Sequence, residues 1–183
     1  SGSGTNLQAI IDAIKSGKLP DTKIVIVISN KKDAFALQRA KDAKIEAIFI
    51  DQKESKSNED YDKKLVEVIN NHKIDLIVLA GYMKILTDGF VNEFPEKIIN
   101  IHPALLPDFG GKGMYGKYVH RAVLKSGVKE SGCTVHFVTA EVDTGPISAQ
   151  RKIHVMTGDT VETLSKRVLE EEHKLLVEVI KKI

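Results

Sequence analysis

The 183-residue chain holds a single cysteine, Cys133, so no internal disulfide can form, and a reducing, cytoplasmic location is expected. Its longest apolar runs, "IVIVI" and "LIVLAGYM", fall far short of the ~20 residues that span a bilayer. No signal-peptide pattern is present either, so no membrane association is expected. Lys and Arg exceed Asp and Glu by a formal net charge of only +2, which leaves no nucleic-acid footprint. The histidines other than His102 are not paired at metal-ligand spacing, H-E-x-x-H does not occur, and no metal is expected. Repeats, low-complexity tracts and interdomain linkers are also missing. What remains, 42% hydrophobic and 28% charged residues, is ordinary for a globular protein. A chain of this length buries roughly 70% of its unfolded surface as one domain, so residues 1–183 are read as a single domain.

From position 23 onward, β-branched runs alternate with amphipathic stretches: residues 23–29, 34–43, 45–51, 59–72, 75–81 and 97–102. Consecutively apolar strands must be covered on both faces, which predicts an α/β fold with a mostly parallel central sheet, helices on both sides and right-handed crossovers. The later "CTVHFVT" and "ISAQRKIHV" alternate apolar with polar residues, as partly solvated strands do, so some antiparallel pairing is expected near the C-terminal part. A long closing helix is predicted over residues 160–183, with Val161, Leu164, Val168, Leu175, Val179 and Ile183 at helical spacing and Asp159 and Glu162 as a capping box. The first helix, "NLQAIIDAIKSG", carries Leu7, Ile10, Ile11 and Ile14 on one stripe and stops at Gly17. In this scheme every helix follows a strand, yet only "SGSGT" precedes the first. A short apolar strand upstream of Ser1 is therefore expected.

The opening "SGSGT" reads either as a cloning linker or as a tight turn before a helix. As a turn it would aim backbone N–H groups, the Thr5 hydroxyl and the positive end of the helix dipole at one phosphate; in the plainer reading Gly2 and Gly4 make a turn and Thr5 caps the helix. A second glycine-rich stretch, "GGKGMYGKYV", spells G-x-x-x-x-G-K over residues 111–117. Tyr118 stands where a P-loop needs Ser or Thr, and no strand leads directly into it, so a mobile surface loop is the reading. In "KIINIHPALLPDF", Asn100 and His102 sit two apart on a strand and share one face, with Pro103 ending the strand. At the C-terminal end of an α/β strand that face borders the ligand crevice, where an amide donor and an imidazole would act together. The plain alternative is a buried histidine satisfied by a backbone carbonyl. Asp143, in "EVDTGP", lies in a turn between the two alternating strands; if it reaches His102 it would raise the histidine's pKa and orient the ring. Cys133 is read as a core residue, and the acidic run from Glu170 to Glu172 as a solvated helix face.

Together "SGSGTNLQAII", "LAGYMKIL", "NIHPALLP" and "HFVTAEVDTGPI" resemble, in order and along almost the whole chain, the phosphoribosylglycinamide formyltransferase family, the folate-dependent transformylases of purine synthesis. The resemblance implies a Rossmann-like formyltransferase fold and a tail after Ile183. It implies transfer of the formyl group of 10-formyltetrahydrofolate to glycinamide ribonucleotide, with no metal and no nucleic-acid or membrane partner, by a monomer or homodimer. Catalysis would fall to Asn100, His102 and Asp143, with His102 held cationic by Asp143. Substrate phosphate would sit at Gly4, Thr5 and Asn6, and Glu172 would hold the ribose hydroxyls. Met83, Lys84, Ile85 and Leu86, together with Asn100, would meet the folate. Asn58 stands where the family often has a basic residue toward the folate's acidic tail. The alternative within the same fold is a formyltetrahydrofolate hydrolase, in which water replaces the amine.

Overall fold

A computed structural model describes residues 3–183, and Ser1 and Gly2, with their part in the opening turn, lie outside the described residues. The chain divides into two compact units, one ending at Ile98 and the other running from Ile99 to Ile183.

In the first unit helices and strands alternate: α1 (Thr5–Lys15), β1 (Ile26–Ser29), α2 (Phe35–Asp42), β2 (Glu46–Phe49), α3 (Asn58–Asn70), β3 (Ile77–Ala80) and α4 (Asp88–Glu93). β1 and β2 run parallel, with Ile26 opposite Glu46 and Ser29 opposite Phe49. Gly4 opens α1 at φ 65° with no side-chain cap. A Cβ there would lie 2.8 Å from the Ala36 Cα, so the close approach of the α1 start to α2 excludes any larger residue. Ile10, Ile11 and Ala13 make the buried stripe of α1, while Leu7 and Ile14 stay half-buried. Ser57 caps α3 by accepting the Asp60 N–H, and Thr87 caps α4 by accepting the Phe90 N–H.

The second unit contains β4 (Ile98–His102) from its second residue on, α5 (Lys117–Ser126), β5 (Glu130–Phe137), β6 (Ile147–His154) and α6 (Val161–Lys182). β5 pairs antiparallel with β4 on one side and β6 on the other. Parallel and antiparallel pairing thus fall where the sequence places them. β5 itself is not partly solvated: with a strand on each flank, Ser131 through His136 are all buried, and its polar residues are inside rather than facing water. β6 does alternate, with Gln150, Lys152 and His154 exposed. Leu164, Val168, Leu175, Leu176 and Val179 form the buried face of α6, each contributing about 1.5–3 kcal/mol by leaving water. Its capping box is one residue further on than the sequence suggested. Thr160 accepts the Thr163 N–H and Thr163 returns the bond, while Asp159 accepts from the Met156 N–H and the Thr163 hydroxyl and pairs with Arg167. The glycine-rich stretch is a loop only as far as Gly116. From Lys117 it is helix, and Val119, His120 and Val123 are buried, so a surface loop describes its first half alone.

Candidate active site

Asn100 and His102 project from one face of β4, as their spacing requires, and β5 sets their neighbours. In register, Asn100 faces His136 and His102 faces Thr134. The site therefore begins as two cross-strand rows on one face of an antiparallel sheet. Asp143 is added from the turn between β5 and β6. There Phe137 donates its N–H to the Pro146 carbonyl at 2.9 Å, and a Cβ on Gly145 would lie 1.9 Å from the Phe137 oxygen. Only glycine permits that approach, and the closed turn delivers Asp143 to the strand face.

Asp143 stands between two imidazoles. Its Oδ2 is 3.5 Å from His102 Nδ1, and its Oδ1 is 3.5 Å from His136 Nε2. Oδ2 also accepts the Gly111 N–H at 2.9 Å. The far nitrogen of each ring meets a carbonyl: His102 Nε2 donates to Phe109 at 2.9 Å, and His136 Nδ1 to Phe137 at 2.9 Å. A carbonyl can only accept, so His102 Nε2 and His136 Nδ1 each carry a proton, and in a neutral ring the other nitrogen is the acceptor. His136 Nε2 lies nearer the Asn100 amide nitrogen, at 3.2 Å, and accepts from it. The His102 Nδ1 lone pair has no such donor. Phe109 and Asp143 have φ of 55° and 60°, and among the described residues of the second unit they are the only non-glycine residues in that left-handed region. Backbone strain is concentrated at the acceptor of His102 and at the carboxylate beside it.

The charge state differs from the one expected for His102. Burial disfavours its cation and brings its pKa below the ordinary 6.5; the Asp143 charge and the Phe109 carbonyl oppose this but do not overcome it, and His136 adds to the lowering. His102 is thus neutral at neutral pH rather than held cationic. For Asp143, burial favours the neutral acid, but His136, the His102 charge interaction and the Gly111 N–H together bring its pKa below the usual carboxylate value. The resting site is a carboxylate beside a neutral imidazole with an open acceptor nitrogen.

His136, set aside in the sequence with the unpaired histidines, is the residue missed. Thr134 and His136 repeat the two-apart polar spacing of Asn100 and His102, and that was the available signal. The other expected residues are placed as follows. Gly4, Thr5 and Asn6 form the start of α1, with Asn6 buried. Met83, Lys84, Ile85 and Leu86 lie between β3 and α4, with Met83 and Ile85 exposed and Leu86 buried. Glu172 is on α6 and, contrary to a solvated face, is buried. Cys133 is a fully buried free thiol whose pKa burial pushes up to about 12, which removes it from nucleophilic chemistry. Among the described residues no group of three or more His, Cys, Asp or Glu side chains could hold a metal ion. No described helix is long and apolar enough to cross a membrane.

A family model described as formyl transferase matches residues 1–180. Phosphoribosylglycinamide formyltransferase of Haemophilus influenzae is 46% identical over 182 residues, which are 99% of this chain and 82% of that protein. The chloroplastic phosphoribosylglycinamide formyltransferase of Arabidopsis thaliana is 45% identical over 181 residues, 98% of this chain but 62% of its own length. The crystal structure of glycinamide ribonucleotide transformylase 1 from Symbiobacterium toebii superposes with a TM-score of 0.93 at 45% identity, covering 99% of this chain and 82% of the other.

Proposed function

The chain belongs to the formyl transferase family, and from that premise we propose that it moves the formyl group of 10-formyltetrahydrofolate onto the amine of glycinamide ribonucleotide, in purine synthesis. The observation that carries the reading is the convergence of Asn100, His102 and Asp143 on one face of β4 and its neighbouring turn. The names of the relatives do not favour the hydrolase alternative. The family match runs across both units, which supports treating residues 1–183 as one formyltransferase domain. A cytoplasmic monomer or homodimer completes the proposal.

The amine attacks the formyl carbon, and negative charge develops on the formyl oxygen. The Asn100 amide gives one N–H to His136 and has a second to give that oxygen; a preorganised donor of this kind lowers the barrier by about 3–4 kcal/mol. The amine must lose a proton, and the folate N10 must gain one as its bond to the formyl carbon breaks. His102 Nδ1 is the open acceptor in the site, and the imidazolium formed there stands 3.5 Å from the Asp143 carboxylate, which stabilises it until the proton passes to N10. Bonds made and broken balance without a metal or redox group. At the α1 start, N–H groups without a side-chain cap, beside the Thr5 hydroxyl, suit the ribonucleotide phosphate together with Asn6. Glu172 takes the ribose hydroxyls. Met83, Lys84, Ile85 and Leu86 meet the folate heterocycle, with Asn100 at its formyl end, while Asn58 makes the contact to the acidic tail weaker or leaves it to another lysine.

The test is release of tetrahydrofolate from 10-formyltetrahydrofolate by full-length protein, with and without glycinamide ribonucleotide. Release that requires the ribonucleotide is expected. Release without it identifies a hydrolase, and no release in either case removes the enzymatic reading. His102→Ala is expected to abolish turnover with little loss of ribonucleotide affinity, whereas Thr5→Ala is expected to raise the ribonucleotide KM.

A further inference from the structure

The chain between His102 and Gly110 has to return its Phe109 carbonyl to within 2.9 Å of the His102 ring it has just left. One side chain fastens this excursion. The Thr134 hydroxyl donates to the Ala104 carbonyl at 2.7 Å and accepts from the Leu106 N–H at 3.0 Å. Its remaining lone pair takes the Gln150 amide at 2.9 Å, and the same Gln150 nitrogen donates to the Leu106 carbonyl at 2.8 Å. A hydroxyl has one proton and two lone pairs, so Thr134 is saturated. The placement follows from register: Thr134 is the cross-strand partner of His102 on one side and of Gln150 on the other. Thr134 is fully buried, as is Ala104, so a lost bond here is not replaced by water.

We propose that Thr134, backed by Gln150, is a positioning residue for His102: by clamping residues 104–106 it sets the Phe109 carbonyl that holds the ring in its Nε2–H form and so keeps Nδ1 free to accept a proton. Thr134 touches no reacting atom in this account. It acts through the loop, and for its catalytic consequence the proposal rests on the formyl-transfer reading above.

The experiment compares full-length wild type with Thr134→Val, Thr134→Ser and Gln150→Leu. Valine keeps the shape and removes the hydroxyl, while serine restores it. Thr134→Val is expected to lower kcat at least 10-fold while the KM values for both substrates change less than about 3-fold, with Thr134→Ser recovering most of the rate. The second readout needs no turnover: long-range 1H–15N spectra of the histidine rings report which His102 nitrogen carries the proton. Wild type and Thr134→Ser are expected to show the Nε2–H form alone, and Thr134→Val a mixture of the two tautomers. Gln150 is exposed on β6, so Gln150→Leu serves should Thr134→Val fail to fold, and a smaller shift in the same direction is expected from it. A folded Thr134→Val, or failing that Gln150→Leu, that keeps the wild-type His102 spectrum overturns the proposal. A changed spectrum in a protein whose wild type transfers no formyl group upholds the clamp and overturns the functional reading instead.

Discussion

His136 Nε2 lies 3.2 Å from the amide nitrogen of Asn100, its partner across the β4–β5 ladder, and the other nitrogen of the ring is committed to the Phe137 carbonyl. The nitrogen facing Asn100 is therefore an acceptor, and it turns the amide so that NH2 rather than oxygen faces the ring. An Asn side chain can flip by half a turn at almost no cost in shape. The ring nitrogen facing it removes that freedom.

Replacing His136 by Phe keeps the ring and removes the acceptor. Steady-state kinetics should show kcat lowered roughly 10–100-fold, less than the ~10²–10³ expected for losing the donor itself in Asn100→Leu, with the ribonucleotide KM nearly unchanged. An unaltered kcat would free Asn100 from His136.

Because His102 enters the reaction neutral, acid should inactivate. As pH falls through its pKa the ring becomes cationic and can no longer take the amine's proton, so kcat/KM should drop on an acid limb whose midpoint lies below 6.5. The Asp143 charge favours the cation, so Asp143→Asn should move that limb to still lower pH while lowering the plateau. A limb that moves upward in Asp143→Asn would contradict the electrostatic account.

Gly145→Ala places a methyl group where the Phe137 carbonyl already is. The β5–β6 turn must open, and Asp143 moves with it. Loss of more than about 2 kcal/mol of stability is expected in denaturant titration, together with an activity loss that resembles Asp143→Asn in its pH profile.

Asp159 is held by Arg167, by the Met156 N–H and by the Thr163 hydroxyl, and its pKa lies well below the usual carboxylate range. A group depressed on folding stabilises above its unfolded pKa and loses that contribution as pH falls toward the folded value. Thermal unfolding followed from pH 7 to 2 should therefore show Asp159→Asn less stable by about 1–3 kcal/mol at neutrality, with the gap to wild type closing below about pH 4. A gap that stays constant with pH would show that the charge of Asp159 is not what fastens α6.

The strands were legible in the sequence because each is a β-branched run between polar stretches, and Asn100 and His102 were legible because two polar residues interrupt such a run at a spacing that puts them on one face. His136 was not. Its role comes from which residue of β5 stands opposite Asn100, and register is a property of two strands together. The neutral state of His102 is hidden from the sequence for a related reason: a neighbouring carboxylate can be read from a turn, but the burial that outweighs it is set by the whole unit. α5 was hidden because its helical pattern starts directly behind four glycines, and Glu172 because an acidic run looks solvated until one of its members turns inward.

The two left-handed residues of the second unit sit beside the reacting histidine, and each carries about 1–2 kcal/mol of backbone discomfort that glycine would relieve. Glycine at Asp143 would relieve that discomfort only by discarding the carboxylate that takes the Gly111 N–H, so the bent backbone is retained there by the same side chain that the chemistry uses.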